Sequence, residues 1–327
     1  MSITDDIGFS TPILVLSEAE RNTVGEVARK LLPSGRNGLN SPEWTEAASA
    51  GWQDLPAAAR RRLARFRRDS GAEGALLVRG LPVDESLLPD TPSASGSVQL
   101  APTVPAALLT MFACGLGDPA AFLAEKSGAL VQDVVPVPGN ENFQGNEGSV
   151  LLSLHNENAF HRHRPDYVLL LCLRADHERV AGLRVACIRR ARPQLSASCL
   201  RALHRAEFVT SPPPSFGSGQ DAPAHAVLGG DPEDPDIVVD FAATRPLTES
   251  AGEALLELHA ALSNTADTYY PAPGDLAIVD NHVALHGRTA FTPRYDGRDR
   301  WLQRSFSLRD LRRSRDHRPG DGPVLVR

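Results

Sequence analysis

The segment LLSLHNENAFHRHRPDY places a histidine and a carboxylate, His155 and Glu157, two residues apart directly after an apolar run. In extended backbone, alternate side chains leave the same face of the chain, so both side chains are placed to bind one metal ion as neighbouring ligands. A pair at this spacing is common by chance, and His161, His163 and His282 are competing ligands. The pair by itself therefore indicates a metal site only weakly.

A third candidate ligand, His286, lies far downstream in GDLAIVDNHVALHGRT, again after an apolar run and a polar turn. The small Gly287 that follows it allows another stretch of backbone to approach a crowded metal centre. Two histidines and one carboxylate on one face of an octahedron leave three positions open, as in mononuclear non-haem iron(II) oxygenases. We therefore expect iron(II) on these three residues.

Arg300 follows His286 by fourteen residues, at the start of a strand-like run. Its planar guanidinium is suited to binding a carboxylate through two hydrogen bonds. Alone, it would be interpreted as part of a surface salt bridge in a loop rich in Arg and Asp. Because Arg300 lies one hairpin beyond a candidate metal ligand, it can re-enter the same cavity and bind a carboxylate there. The three candidate ligands together with Arg300 are a much more specific signal than either part.

The elements that must position these residues change in character along the chain. Apolar residues at helical spacing predict helices in the first third, at residues 17–32, 41–50, 56–68 and 106–114. Short apolar runs between turn residues then predict strands at residues 130–137, 149–154, 167–173, 183–188, 237–241, 275–279 and 301–308, after an earlier strand at 74–79. Many short strands without intervening helices favour a sandwich, barrel or jelly roll over a parallel doubly wound sheet.

Two further helices, residues 192–205 and 247–262, are predicted to pack outside this β-core. Residues 82–102, rich in Pro and Ser, are predicted to form a loop. The strongest loop signal is residues 209–225, VTSPPPSFGSGQDAPAH, which combines a proline triplet with glycines. A long loop in a compact domain is either disordered or a functional lid, and the sequence favours neither.

Composition excludes several partners. The formal net charge of -6 and pI of about 5.9 give no electrostatic reason to expect nucleic acid, and the Arg-rich residues 60–68 and 312–318 are interpreted as solvated faces. Acidic residues near the N-terminus and short apolar runs argue against a secretory signal and a membrane span, so we expect a cytoplasmic protein. The cysteines lack CxxC spacing and are expected to be buried free thiols: Cys114, Cys172, Cys187 and Cys199.

The chain resembles the clavaminate synthase-like iron(II)/2-oxoglutarate oxygenases, which bind iron through an HxE motif. The resemblance lies in HNENAFHRHRPDYVLLLCLRADHER, in GDLAIVDNHVALHGRTAFTPRYDGRDRWLQR and in FRRDSGAEGALLVRGLPVD, and it spans nearly the whole chain. The segments CGLGDPAAFLAEKSGALVQDVVPVPG, FQGNEGS, PPPSF and RYDGRDRWLQRSF are similar to the members that hydroxylate L-asparagine for lipopeptide antibiotics.

The resemblance implies one oxygenase domain over residues 1–327, mainly β with flanking helices. It would have a helical part of about residues 1–115 and a double-stranded β-helix (jelly-roll) core of about residues 120–310. The resemblance places Fe(2+) on His155, Glu157 and His286, and the distal carboxylate of 2-oxoglutarate on Arg300, with O2 as the third reactant. One departure is Leu183, which stands where clavaminate synthase has a hydroxyl-bearing residue near the cosubstrate carboxylate.

The resemblance also implies how the substrate is held. It assigns the α-ammonium to Glu125, the α-carboxylate to Arg304 and the side-chain amide to Asn146, Asn158 and Asp240. An ionised Asp240 accepts hydrogen bonds from an amide NH2 group and repels a carboxylate, so asparagine is expected to be preferred over aspartate. Each of these residues also has a local alternative role, such as a turn, a strand cap or a surface ion pair.

The expected function is hydroxylation of free L-asparagine at C3, which supplies 3-hydroxyasparagine to a nonribosomal peptide synthetase. Three alternatives stay open: a hydroxylase of arginine or another polar amino acid, a zinc hydrolase with the same three ligands, and a non-catalytic binding protein on the same β-core. We also expect residues 209–225 to close over the bound substrate, because the oxidising centre must be shielded from solvent.

Overall fold

The computed structural model describes residues 11–217 and 222–326. The α-helices in these stretches are α1 Glu18–Leu31, α2 Pro42–Gln53, α3 Ala57–Arg68, α4 Val104–Leu116, α5 Ile188–Ala191, α6 Ala197–Leu203 and α7 Glu249–Thr265. Short 3-10 helices cover Leu32–Asn37, Glu85–Leu87, Lys126–Gly128, Arg192–Gln194, Pro214–Phe216, Leu311–His317 and Pro319–Asp321.

The strands belong to two larger sheets and two isolated pairs, the hairpin β9–β10 and the long-range pair β8–β11. They are β1 Ile13–Val15, β2 Ala75–Arg79, β3 Asp118–Phe122, β4 Gln132–Val134, β5 Leu152–His155, β6 Tyr167–Arg174, β7 Leu183–Cys187, β8 Phe208–Thr210, β9 Leu228–Asp231, β10 Asp234–Ile237, β11 Thr244–Pro246, β12 Asp267–Tyr269, β13 Leu276–Asp280, β14 Ala284–Arg288, β15 Trp301–Leu308 and β16 Val324–Leu325. The major sheet has the order β1-β2-β13-β6-β15-β3-β16, with β4 also paired to β15, and the minor sheet has the order β12-β7-β14-β5.

The two faces of the major sheet bury different cores, because side chains alternate along a strand. In β6, Val168 and Leu170 belong to a cluster shared with β5, β7 and β14 of the minor sheet. Leu169 and Leu171 point the other way, into a cluster shared with helices α1, α2 and α4. The fold is thus a two-sheet β-core with α1, α2 and α4 against the major sheet and α7 against β7 of the minor sheet, and the predicted jelly-roll class is confirmed.

Local signals explain where the helices begin. Ser17 caps α1 with a reciprocal capping box to Glu20, and Ser41 accepts a hydrogen bond from the backbone N–H of Trp44 at the start of α2. Helix α4 is apolar on nearly all sides and lies buried against β15 and β6.

Two predicted elements differ from the structure, and strand β14 was missed. Residues 237–241 were expected to form a strand, but β10 ends at Ile237, and Asp240 forms only an isolated bridge to His155. The helix expected at residues 192–205 is interrupted at Leu195 and restarts with Ser196 as the cap of α6. Strand β14 was not predicted as a strand, because its sequence ALHGR lacks a strand-like apolar pattern.

The cysteine prediction is confirmed. All four cysteines are free thiols, three of them fully buried, and burial raises the pKa of Cys187 and of Cys199 to about 12. Within the described stretches, no helix has both the length and the apolar character needed to cross a membrane.

Replacement of two glycines by alanine is expected to change the free energy of unfolding in opposite directions. Gly117 joins α4 to β3, and an added Cβ would overlap the backbone carbonyl of Leu308 at the end of β15. We expect Gly117→Ala to lower the free energy of unfolding by about 1–3 kcal/mol through overpacking. Gly252 lies inside α7, where a Cβ would meet only Pro246 at 3.6 Å.

The control Gly252→Ala should therefore raise the free energy of unfolding by about 0.5–1 kcal/mol, because alanine favours helix. Urea denaturation of both variants measures these changes. A Gly117→Ala protein as stable as the parent would contradict the packing at this junction.

Candidate metal centre

Strand pairing brings the two candidate histidine ligands together. In the antiparallel pair β5–β14, His155 lies directly opposite His286, and their ring centroids are 4.4 Å apart. On its other side β14 pairs with β7 in unbroken register, which fixes His286 inside the minor sheet. A Cβ on Gly287 would lie 2.6 Å from the carbonyl oxygen of Leu152, so the close approach of β5 requires glycine here.

Glu157 is positioned by the turn that follows β5. Its backbone N–H donates to the side-chain oxygen of Asn281 at 2.8 Å, and the Asn281 amide donates back to the Glu157 carbonyl at 3.0 Å. The Asn156 amide donates to the carbonyls of Asn281 and Ala284 at 2.9 and 3.1 Å. These buried hydrogen bonds attach the turn carrying Glu157 to the turn between β13 and β14.

The three candidate ligands converge. One ligand atom from each of His155, Glu157 and His286 lies within 4.8 Å of the others, and Glu157 Oε2 is 3.6 Å from His286 Nε2. The Nδ1 atom of His155 is 2.8 Å from the carbonyl oxygen of Ser153 and donates to it, so Nε2 is the nitrogen available to a metal. Two imidazoles and one carboxylate fit iron(II) with three positions left for reactants.

The ionisation states also suit a metal. Burial lowers the pKa of His286, and the neighbouring His155 lowers it further, so the imidazole is in the neutral form that binds metals. Burial alone would raise the pKa of Glu157, but Arg304 and the two histidines hold it well below its usual range. The carboxylate is therefore ionised and ready to act as a ligand.

Arg304 connects the metal centre to the substrate side. Its Nη1 donates to Glu157 Oε2 at 2.9 Å, and its Nη2 donates to Glu125. Its Nε donates to the side-chain oxygen of Gln132 at 3.2 Å, and the amide oxygen of Asn146 lies 3.3 Å from Nη1. Burial alone would lower the pKa of Arg304, yet Glu125 and Glu157 raise it, so this buried guanidinium stays charged.

A cavity of about 650 Å³ lies beside this network. Most of the residues predicted to form the site line it, namely Glu125, Asn146, His155, Glu157, Asn158, Asp240 and Arg304. The segment Ser211–Phe216 contributes another wall through Pro212, Pro213, Ser215 and Phe216. The predicted substrate residues are therefore gathered around one cavity that reaches two of the three candidate ligands.

Asp240 and Asn158 line the cavity and also form local hydrogen bonds. Asp240 pairs with His155 across an isolated bridge, and its Oδ1 accepts from the backbone N–H of Ala242 at 2.8 Å. Asn158 adopts the left-handed conformation with φ of 49° and donates to Glu125 Oε2 at 3.4 Å. Burial raises the pKa of Glu125 despite the neighbouring Arg304.

Arg300 lies outside the set of residues that line this cavity. It is 5% exposed and directly precedes β15. Its buried Nη1 has no hydrogen-bond partner within the described residues, and its guanidinium lies 5.8 Å from the ring centroid of Phe291. Burial lowers the pKa of Arg300 to about 10, which still leaves it charged at neutral pH. A buried guanidinium without an acidic partner suits an anionic ligand.

The three histidines that competed as metal ligands contact other residues. His282 lies between Asp166 and Asp236, with its Nε2 2.7 Å from Asp166 Oδ1. His161 and His163 form an aromatic group with His317. None of the three competing histidines belongs to the cluster of His155, Glu157 and His286.

Sequence reasoning missed the residues that support the site. Gln132 contacts Arg304, while Asn156 and Asn281 fix the turn carrying Glu157. The asparagines stand in the motifs HNEN and DNH, so their closeness to the ligands was a usable signal. Arg288, two residues after His286, is 3% exposed and lies 5.2 Å from the centroid of Phe291. Only the fold reveals that this arginine is buried.

Comparison with known proteins supports the same assignment. No family model matches the chain. It is 59% identical to the L-asparagine oxygenase of Streptomyces coelicolor over 314 residues, which cover 95% of this chain and 94% of that protein. Clavaminate synthase 2 of Streptomyces clavuligerus is 34% identical over 75% of this chain and 77% of its own length.

A solved structure shares both fold and sequence. The crystal structure of asparagine oxygenase in complex with Fe(II), (2S,3S)-3-hydroxyasparagine and succinate superposes with a TM-score of 0.94 and 58% identity, and the match covers 96% of this chain and 99% of that one. These relatives and the converging ligands agree. The chain therefore belongs to the clavaminate synthase-like iron(II)/2-oxoglutarate oxygenases, the family of asparagine oxygenase.

Proposed function

We propose that this protein hydroxylates free L-asparagine at C3, with Fe(2+) on His155, Glu157 and His286 and with 2-oxoglutarate as cosubstrate. The observation that carries the proposal is Arg304, which touches a candidate metal ligand and Glu125 in the wall of one cavity. A guanidinium and a carboxylate side by side match the two charges of an α-amino acid. The relative that is 59% identical and the structure containing 3-hydroxyasparagine support the choice of asparagine.

When bound, iron(II) and 2-oxoglutarate supply the oxidation in which one atom of O2 enters a C–H bond of asparagine and the other enters succinate, with release of CO2. The protein's own residues decide which bond reacts, because they hold the substrate relative to the metal. Glu157 stays ionised through Arg304, and His155 presents Nε2 because its Nδ1 donates to Ser153. These contacts orient the ligands before the reactants arrive.

Binding of the amino acid exchanges charge partners at Arg304. The guanidinium now donates to both Glu125 and Glu157. The α-carboxylate of asparagine takes the place of Glu125 on Arg304, and Glu125 turns to the α-ammonium. Glu125 is poised for this exchange, because burial raises its pKa while an arriving ammonium favours its ionised form. The α-carbon is thereby held on the side of Glu157.

The side-chain amide of the substrate is assigned to Asp240, Asn146 and Asn158. Asp240 Oδ1 is engaged by the backbone of Ala242, which leaves Oδ2 to accept from the amide NH2. A substrate carboxylate at the same place would meet the negative charge of Asp240. This arrangement favours asparagine over aspartate.

We assign the distal carboxylate of 2-oxoglutarate to Arg300. The support is its burial, its lack of an acidic partner within the described residues and its unpaired Nη1. Leu183, in β7, offers no hydrogen bond to the cosubstrate. The product is assigned to a nonribosomal peptide synthetase in the cytoplasm, on the strength of the resemblance to lipopeptide antibiotic enzymes.

We assign the segment 209–225 to a lid over the substrate; residues 218–221 of this segment lie outside the described part of the chain. The 3-10 helix Pro214–Phe216 carries Phe216, whose ring packs 4.8 Å from Phe160 and 6.0 Å from Phe122, measured between centroids. Phe160 follows the turn that bears Glu157 and Asn158. This aromatic contact joins the cavity wall formed by Ser211–Phe216 to the metal side.

The central test uses anaerobically purified, iron(II)-loaded enzyme with 2-oxoglutarate and each free amino acid, followed by admission of O2. We expect asparagine to gain one oxygen atom and succinate to form in equal amount, as followed by mass spectrometry. His155→Ala should lose both bound iron and activity, whereas the control His204→Ala, at the end of α6, should keep both.

Other results would identify an alternative. Arginine turnover with inert asparagine would overturn the choice of substrate. Hydrolysis without a requirement for 2-oxoglutarate would indicate a zinc hydrolase, and asparagine binding that His155→Ala leaves intact, with no turnover in either protein, would indicate a binding protein.

Asp240→Asn should admit aspartate, because the substitution removes the negative charge and keeps an oxygen for the Ala242 backbone. We expect the preference for asparagine over aspartate, measured as the ratio of kcat/KM values, to fall by about tenfold or more. The matched control is Asp231→Asn, which keeps a similar turn bond to Glu233 far from the cavity. An unchanged ratio for Asp240→Asn would show that Asp240 does not face the substrate side chain.

Phe216→Ala should loosen the lid, because it removes the ring contacts to Phe160 and Phe122. The expected result is a higher KM for asparagine and more succinate formed per hydroxyasparagine, because water reaches the centre. The control Tyr270→Ala removes an exposed aromatic ring elsewhere on the surface. Equal coupling of succinate to product in Phe216→Ala and the parent would contradict a lid role.

A further inference from the structure

Two buried arginines, Arg288 and Arg300, lie against one aromatic ring, and neither has an acidic partner in the part of the chain that the structure describes. They are 3% and 5% exposed, and their guanidinium carbons lie 5.2 and 5.8 Å from the ring centroid of Phe291. Within the described residues, neither forms an ion pair, and both Arg288 Nε and Arg300 Nη1 are buried without a hydrogen-bond partner. Arg300 also helps burial to lower the pKa of Arg288, and two buried cations that repel each other are costly unless an anion joins them.

Resting on the proposed function, we propose that Arg288 is a second guanidinium that binds the distal carboxylate of 2-oxoglutarate together with Arg300. The carboxylate that acts on Arg300, Asp176, is already engaged, because it accepts from the backbone N–H groups of Val180 and Ala181 at 2.9 and 3.0 Å. The missing negative charge must therefore come from a ligand. A carboxylate accepts hydrogen bonds on both oxygens and is matched by two guanidiniums.

The position of Arg288 on β14 fits the length of the cosubstrate. His286 and Arg288 are two residues apart in a strand that pairs regularly with β7, so their side chains leave the same face about 6–7 Å apart. In 2-oxoglutarate the keto carbon and the distal carboxylate carbon are separated by three C–C bonds of about 1.5 Å each. A cosubstrate whose keto acid end bound a metal on His286 would therefore be long enough to reach toward Arg288 along β14.

The side chain of Arg288 is held ready for this role. Its Nη2 donates to the carbonyl oxygen of Val150 at 3.0 Å, and its guanidinium lies against Phe291. Its cross-strand partner, Leu183, has no polar group that competes for a carboxylate. The hydrogen bond to Val150 uses one N–H of the guanidinium, and Nε has no hydrogen-bond partner in the described residues. This bond to a neutral carbonyl fixes the side chain of Arg288 and leaves its positive charge without a counterion.

The test separates recognition of the distal carboxylate from a purely structural role. Anaerobic iron(II)-loaded enzyme is titrated calorimetrically with 2-oxoglutarate and with 2-oxopentanoate, which has the same chain but lacks the distal carboxylate. For Arg288→Met we expect affinity for 2-oxoglutarate to fall about 10- to 100-fold, the loss typical of a charge-assisted bond, with little change for 2-oxopentanoate.

The control Arg318→Met removes another buried arginine, one that donates to backbone carbonyls of Leu311, Asp321 and Gly322. It should leave both affinities unchanged. If Arg288→Met does not fold, Arg288→Lys serves instead, and the preference for 2-oxoglutarate over 2-oxopentanoate should still fall at least threefold.

An equal loss of both ligands, or an unchanged preference, would overturn the role of Arg288 and leave the proposed function standing. Parent enzyme that binds neither ligand would instead overturn the proposed function, and the role of Arg288 with it.

Discussion

The antiparallel pairing of β5 with β14 is the constraint on which the site depends. It sets His155 opposite His286 in a register that β7 also fixes from the other side. A slip of one residue would turn one imidazole to the opposite face and remove the metal site. The turn after β5 must then bring Glu157 to the same point. Hydrogen bonds of the buried Asn156 and Asn281 attach this turn to the β13–β14 turn, so core contacts fix the positions of the candidate ligands.

The electrostatics of the interior divide the site into two parts. Around Arg304, one cation contacts the carboxyl groups of both Glu125 and Glu157, and in the proposed exchange the zwitterion of an amino acid would enter without changing the net charge. Around Phe291, Arg288 and Arg300 carry positive charge with no acid in contact among the described residues. The first part suits a neutral zwitterion and the second suits an anion. The two parts thus distinguish the substrate from the cosubstrate by charge alone.

The sequence predicted the features that depend on local pattern. Strand β15 has the predicted bounds, and α3 ends at Arg68 as expected, because apolar patterning is a local signal. Strand β14 escaped prediction because it carries a histidine, a glycine and an arginine, and it is a strand only through its neighbours β5 and β7. The unpaired state of Arg288 and the contacts of Gln132 were equally out of reach, since both arise from segments far apart in the chain. The β-core was predictable from the run of short strands, and the grouping of the candidate ligands from the combination of the His155–Glu157 pair, His286 and Arg300, which is more specific than any one of them.

Arg304 also links substrate recognition to the metal. One guanidinium holds Glu157 in its ionised form and contacts Glu125, the residue proposed to receive the substrate ammonium. In the proposed exchange, the α-carboxylate of the substrate would replace Glu125 on Nη2 of Arg304 and leave the Nη1 bond to Glu157 in place. The guanidinium would then join the substrate carboxylate to the candidate metal ligand without movement of the backbone. An oxygenase benefits from such a link, because the oxidising power of its cosubstrate is wasted when no substrate is present.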